Sequence, residues 1–148
     1  METKKLGRQT VRFNDPPAIV GCGSVAGSKE GRGPLGHCFD LTSRDDRFHQ
    51  ESWEKAETTM QKKALSFALN KAGLTTEQLD YVLAGDLLNQ CIATSYSMRT
   101  QEIPFFGLYG ACSTMAEGLS LGAMLIDGGF ALYTAALTSS HFCSAERQ

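Results

Sequence analysis

Apolar residues run unbroken through Phe105-Phe106-Gly107-Leu108-Tyr109, the pattern of a strand buried on both faces. Gly110-Ala111 turns the chain, and a helix is expected from about Cys112 to Ile126. Its charges are Glu117, one turn in, and Asp127, at the far end, so the helix is apolar nearly all round, as buried helices are. Ala116, Gly118, Ser120, Gly122 and Ala123 are small and would let another backbone approach closely. The expectation is a helix at the centre of a layered α/β body.

The rest of the chain alternates between the same two periods. Residues 1–10 are polar and read as a loose arm. Thr10-Val11-Arg12-Phe13 alternates like a short strand, and Asn14-Asp15-Pro16-Pro17 is a turn. Ala18 to Val25 (AIVGCGSV) reads as a strand weakened by its glycines. Trp53, Ala56, Met60, Ala64, Phe67, Ala68 and Lys71 recur at steps of three and four, a core-facing stripe with Glu54, Lys55, Glu57, Lys62 and Lys63 mostly off it. Ser52 suits the N-cap of that helix and Gly73 its C′ position. Thr75 and Gln78 have the spacing of a capping box over one short helical turn. Tyr81 to Gly85 reads as a strand, about Ala93 to Gln101 as a helix, and Phe130 to Thr138 as a last strand. Alternating strands and helices predict one α/β domain over residues 1–148, a mostly parallel mixed sheet with helices on both faces.

Composition excludes more than it selects. With 42% hydrophobic and 20% charged residues, the 148-residue chain has the make-up of a globular domain, and its net charge of −2 favours neither nucleic acid nor an anionic membrane. The start METKKLGRQT has no apolar core of a signal peptide, and Asp127-Gly128-Gly129 interrupts the longest apolar region, so no membrane span is expected. Cysteines at 22, 38, 91, 112 and 143 show no C-x-x-C spacing, which points to reduced thiols and no zinc site. The histidines at 37, 49 and 141 are scattered, and neither a metal site nor a cofactor is expected. Gly21-x-Gly23-x-x-x-Gly27 lacks the dinucleotide-binding spacing and the helix that should follow it.

Three places could carry chemistry. Cys112 falls at the expected start of a helix, where free N–H groups and the helix dipole favour a thiolate; the alternative is a small core residue. The loop GSKEGRGPLG (27–36) carries Lys29 and Arg32 among glycines and suits either an anion or plain solvent. Asp86, Asn89 and Gln90 follow a strand's C-terminal end, where α/β sheets bind ligands, but Asp86 suits equally the cap of the next helix. Ser139-Ser140-His141 ends the last strand.

The Gly-Ala-Cys-Ser unit between strand and helix resembles the nucleophile region of the thiolase and ketoacyl-synthase superfamily. AGDLLNQ (84–90), IPFFGLYGACSTMAEGLSLGAMLIDGGFA (103–131), TSSHFCSAERQ (138–148) and the 27–36 loop more closely resemble the stage V sporulation protein AD family. That resemblance implies a thiolase-like fold of two similar halves stacked α-β-α-β-α, with this chain as the first half. It implies a non-catalytic protein that binds dipicolinic acid (pyridine-2,6-dicarboxylate) or its calcium chelate. Such a protein is the soluble member of a spore membrane transport complex in sporulation and germination, peripheral on the cytoplasmic face of the spore inner membrane. Implied partners are the other transport-complex proteins and the second half or another copy. Cys112 takes the nucleophile position, while the activating histidines of true thiolases come from the second half. The implied pocket comprises Lys29, Asp86, Asn89, Cys112, Ser140 and His141. Lys29 is the best partner for a carboxylate, and Asp86 the worst unless calcium bridges it. The alternative is an acyltransferase with Cys112 as nucleophile. A chain left without its second half would self-associate through exposed apolar surface.

Overall fold

The computed structural model describes residues 3–87 and 91–140. Along them run the strands β1 (Lys5–Leu6), β2 (Thr10–Val11), β3 (Val25–Ala26), β4 (Leu41–Thr42), β5 (Tyr81–Asp86), β6 (Phe105–Gly107) and β7 (Thr134–Ser139). The helices are α1 (Ser28–Gly31), α2 (Trp53–Ala72), α3 (Ile92–Met98) and α4 (Thr114–Asp127). The central sheet has the order β6-β5-β7, and both pairings are parallel, with Leu83 opposite Phe106 on one side and Ala136 on the other. Parallel pairing needs crossovers, and α3 and α4 supply them. Each begins and ends where its apolar pattern meets Gly or a polar cluster.

α2 and α3 cover one face of this sheet. Leu65 and Leu69 of α2, Met98 of α3, Val82 and Ala84 of β5, and Leu137 of β7 pack there as the hydrophobic core, with Leu79 and Ile103 at its margin. The α2 caps are those the residues predict. Lys55 N donates to Ser52 Oγ at 3.3 Å, and Gly73 closes the helix with φ 68°. The Thr75–Gln78 capping box also forms.

α4 covers the other face on one side only. Its Gly118 and Gly122 lie against the sheet so closely that an added Cβ would come within 3.2 Å of Ala136 Cβ and 2.7 Å of Thr134 Oγ1. Thr114, Gly118 and Gly122 are its buried residues, whereas Met115, Leu119, Leu121 and Met124 remain exposed. Enclosure of this helix is thus met toward the sheet and not on its far side among the described residues.

Several expectations need correction. Ala18 to Val25 is not a strand before Val25: Ile19 and Val20 are exposed, and only Val25–Ala26 pairs, in parallel, with β4. Its glycines instead press on α2, where a Cβ at Gly23 would lie 2.1 Å from Ala64 O and one at Gly21 2.3 Å from Ala68 O. This segment, α2, α4 and β7 line an apolar groove of about 660 Å³, and β7 carries no strand on its outer edge among the described residues. β6 is an edge strand with both phenylalanines exposed, not a strand buried on both faces. The arm is a small antiparallel hairpin of β1 and β2, with Gly7 in the left-handed region and Lys4 Nζ paired to Asp127 Oδ2 at the end of α4. The last strand starts at Thr134, because Asp80 first accepts from Leu132 N (2.7 Å) and Tyr133 N (3.1 Å) and holds the preceding turn. The two bonds hold the Asp80 carboxyl below its ordinary value.

Candidate functional site

The three parallel strands end together, so the residues after them share one edge of the sheet. Leu108 N donates to Ala84 O at 2.7 Å and carries the β6 pairing one residue past the strand. The chain then turns through Gly110-Ala111, with Ala111 at φ 49°, a left-handed backbone unusual for a residue with a Cβ. Ala111–Ser113 form a single 3-10 turn and α4 begins at Thr114. Cys112 therefore stands in the turn just ahead of the α-helix, exposed. Ser113 Oγ donates to Gly110 O at 2.7 Å. Glu117 reaches back over the same turn, since a Cβ on Gly110 would lie 2.5 Å from Glu117 Oε2. From the other side Cys91 Sγ donates to Leu108 O at 3.1 Å and ties the start of α3 to the approach.

Side-chain alternation decides which candidates share a face. Leu83 and Gly85 face α4; a Cβ on Gly85 would lie 2.1 Å from Leu108 O and 2.8 Å from Thr114 Cγ2. Val82, Ala84 and Asp86 face α2 and α3. Asp86 is 2% exposed, and its Oδ2 accepts from Thr94 N at 2.7 Å and from Thr94 Oγ1. Thr94 lies in the first turn of α3, whose N-cap Cys91 makes no side-chain cap. Of the two readings of Asp86, the helix cap is the one the structure realises, and the carboxylate lies across the sheet from α4. In β7, Thr134 and Ala136 face α4, and the same alternation brings exposed Ser140 to that side. Lys29 does not join them: it is exposed on α1, which packs on β4 and on the turn Gly36–Cys38. Asn89 and His141 lie outside the described residues. Cys112 and Ser140 are the predicted site residues left on one side of the edge.

The residues the sequence reading missed lie on the opposite face. Glu57 and Gln61 of α2 are 0% and 1% exposed. Ser139 Oγ donates to Glu57 Oε1 at 2.6 Å, and Gln61 Nε2 donates to Ser139 Oγ at 2.7 Å and to Thr94 Oγ1 at 3.0 Å. The network thus runs Glu57–Ser139–Gln61–Thr94–Asp86 across the strand ends. Burial pushes the Glu57 carboxyl up to about 7; Asp86 and Glu54 add to the shift, and the Ser139 bond opposes it. The available signal was the spacing of four that runs Glu57, Gln61, Leu65, Leu69 and puts two polar residues on a core ridge. Among the described residues no three of His, Cys, Asp and Glu come together to hold a metal ion. No helix among them is long and apolar enough to cross a membrane.

A solved structure of 3-oxoacyl-[acyl-carrier-protein] synthase III from Aquifex aeolicus VF5 superposes with a TM-score of 0.52 at 21% identity, over 65% of this chain and 32% of that one. It shows the fold, which is thiolase-like. The stage V sporulation protein AD of Bacillus subtilis (strain 168) is 45% identical over 145 residues, 98% of this chain and 43% of that protein. The chain therefore spans less than half the length of this relative. Residues 7–148 match the family described as stage V sporulation protein AD, and with that match the chain belongs to the stage V sporulation protein AD family, sporulation proteins built here on a thiolase-like fold.

Proposed function

We propose that this chain is the first half-layer of a non-catalytic, thiolase-like binding protein. Its ligand is dipicolinic acid or the calcium chelate, taken up at the sheet edge beside Cys112. In this reading the protein serves a transport complex at the cytoplasmic face of the spore inner membrane, during sporulation and germination. The exposed apolar side of α4 is where a second half of the fold, residues 1–148 forming the first, or another copy would lie.

The observation that carries the reading is the make-up of the Cys112 turn. The thiol is exposed in a turn that Glu117 reaches back over at Gly110, Ser140 lies on the same side of the sheet by alternation, and Asp86 is committed to the other face. Thiolate attack needs a positioned base and oxyanion donors. Titration calorimetry with dipicolinate, with and without calcium, tests this on the chain coexpressed with the remainder of the Bacillus subtilis relative. The expected result is saturable heat that Cys112→Ser leaves intact; heat of dilution alone overturns it.

The second reading, an acyltransferase with Cys112 as nucleophile, is favoured by the sharp strand-to-helix turn that presents the thiol. Intact-mass measurement after incubation with acyl-thioesters separates the two. A stoichiometric adduct lost in Cys112→Ser supports transfer, and an unmodified Cys112 supports binding.

A further inference from the structure

Four buried side-chain oxygens among the described residues have no hydrogen-bond partner: Glu57 Oε2, Gln61 Oε1, Asp86 Oδ1 and Ser97 Oγ. None of the four residues is more than 2% exposed. They come from three elements that meet. Glu57 and Gln61 stand one turn apart on a ridge of α2, and Thr94 and Ser97 one turn apart on a ridge of α3. Bonds from Thr58 Oγ1 to Ala93 O (3.1 Å) and from Gln61 Nε2 to Thr94 Oγ1 (3.0 Å) hold the two ridges together. Asp86 ends β5 and is bound to the same Thr94. The donors at hand are already engaged at the other end of each group. Ser139 donates to Glu57 Oε1, and Thr94 N and Oγ1 donate to Asp86 Oδ2, which favours the ionised form of both carboxyls. Both Gln61 N–H groups are used, on Thr94 and Ser139. Three of the four free oxygens can only accept, and the Ser97 hydroxyl is the one donor among them. The ion pairs among the described residues leave both carboxylates out. Two buried anions in one cluster call for a positive charge as well as for donors, and a water molecule would bring only the donors.

We propose that Glu57 Oε2, Gln61 Oε1, Asp86 Oδ1 and Ser97 Oγ hold one hard divalent cation, of the calcium or magnesium kind, which ties α2 and α3 to the end of β5. The donor set is all oxygen, the choice of such ions, and it offers neither the thiolate nor the imidazole that zinc and copper prefer. Two carboxylates balance the two positive charges, so no third acidic ligand is needed, and among the described residues none is present. Amide and hydroxyl oxygens complete the set. Each carboxylate is held through its other oxygen, Glu57 by Ser139 and Asp86 by Thr94, an arrangement that aims metal ligands. In the absence of the cation, burial raises the Glu57 carboxyl to about 7, so a proton competes for the same group. The site lies across the sheet from Cys112 and is independent of what that edge binds.

The test is equilibrium dialysis of the full chain, stripped with a chelator, against calcium or magnesium chloride alone, paired with thermal unfolding. One ion should bind per chain, and the unfolding midpoint should rise by roughly 5 °C at saturation. Glu57→Gln and Asp86→Asn should each lower the affinity roughly hundredfold and cancel the rise, and Ser139→Ala, which removes only the group that aims Glu57, should lower it roughly tenfold. Stripped of metal, Glu57→Gln should unfold no earlier than the stripped native chain, since it removes a buried charge. Glu51→Gln, an exposed acid paired with Lys55, should leave binding unchanged. The ion held more tightly is the occupant. A chain that takes up neither ion at about millimolar concentration overturns the proposal, as does a midpoint that ignores both. Uptake that survives both Glu57→Gln and Asp86→Asn is adventitious surface binding and overturns it too.

Discussion

Gly85 shows how little room a single position can leave. Its missing side chain lets β5 pass under the Leu108 carbonyl, and any Cβ there meets backbone at 2.1 Å. Gly85→Ala should cost about 1–3 kcal/mol as an overpacked site, with movement of the Cys112 turn; denaturant unfolding checks the first, and the rate of Cys112 alkylation the second. Asp86 is the opposite case, a polar group fixed by what it bonds. Asp86→Ala removes the cap of α3 and should cost about 1–2 kcal/mol, while alkylation of Cys112 stays at the native rate, because the carboxylate faces the other side of the sheet. Glycine and aspartate at a strand end were both visible in the sequence. Which face each served was not, because the alternation is anchored by register with β6 and β7, a long-range fact.

Among the elements, those with strong local signals were readable and those without were not. α2 announces both ends through Ser52 and Gly73, and β5 is an apolar run between polar turns. The buried ridge of α2 was read one step off, because Glu57 counts as polar until Ser139 and Asp86 are known to lie beside it. The 18–24 stretch has a strand's composition and no strand partner among the described residues; contact with α2 decides its path instead. Gly23→Val tests that contact: a side chain driven into Ala64 O and Ala68 N should lower stability by about 1–3 kcal/mol, and an unchanged unfolding midpoint would show that the segment is not seated on α2. Of the hairpin, β2 falls on the short strand read from Thr10-Val11-Arg12-Phe13, whereas β1, two residues in a polar arm, leaves no periodicity to detect.

At the scale of the molecule, the balance between buried and open apolar surface governs behaviour. Met115, Leu119 and Met124 on α4 and Phe130 and Leu132 beyond it stay exposed, the last two at 71% and 72%. Such surface is where association between copies of the chain is expected. Sedimentation velocity should show concentration-dependent association, reduced by Leu119→Lys on the open side of α4; a monodisperse monomer at all concentrations would contradict this. The pH profile of stability should fall on both sides. Asp40, Asp45 and Asp80 titrate below their ordinary value of 3.8, Asp40 because it pairs with Lys71 and accepts from Ser24 N, and Asp45 and Asp80 because they accept backbone N–H groups. Their stabilisation is present above that value and lost as acid takes the pH through the folded values. Glu57 runs the other way: its contribution is full below about 4.5 and is lost as pH rises to about 7. Unfolding midpoints should peak between the two ranges, and the upper slope should vanish in Glu57→Gln. The fold class was legible at this scale, as the order of elements requires crossovers. The open side of α4 was expected from the family resemblance and not from the helix itself, because an all-apolar helix reads the same whether or not its cover belongs to the same chain.

The outer border of β7, bare among the described residues, has a kinetic corollary. Its amides and carbonyls are a template, and whichever extended stretch arrives first is zipped on. Tethering biases that race: a stretch on the same polypeptide is present at roughly millimolar effective concentration, far above any neighbouring molecule in dilute solution. Overproduction erodes the advantage and stitches separate molecules into ribbons. Yield of dispersed protein should therefore rise when synthesis is slowed.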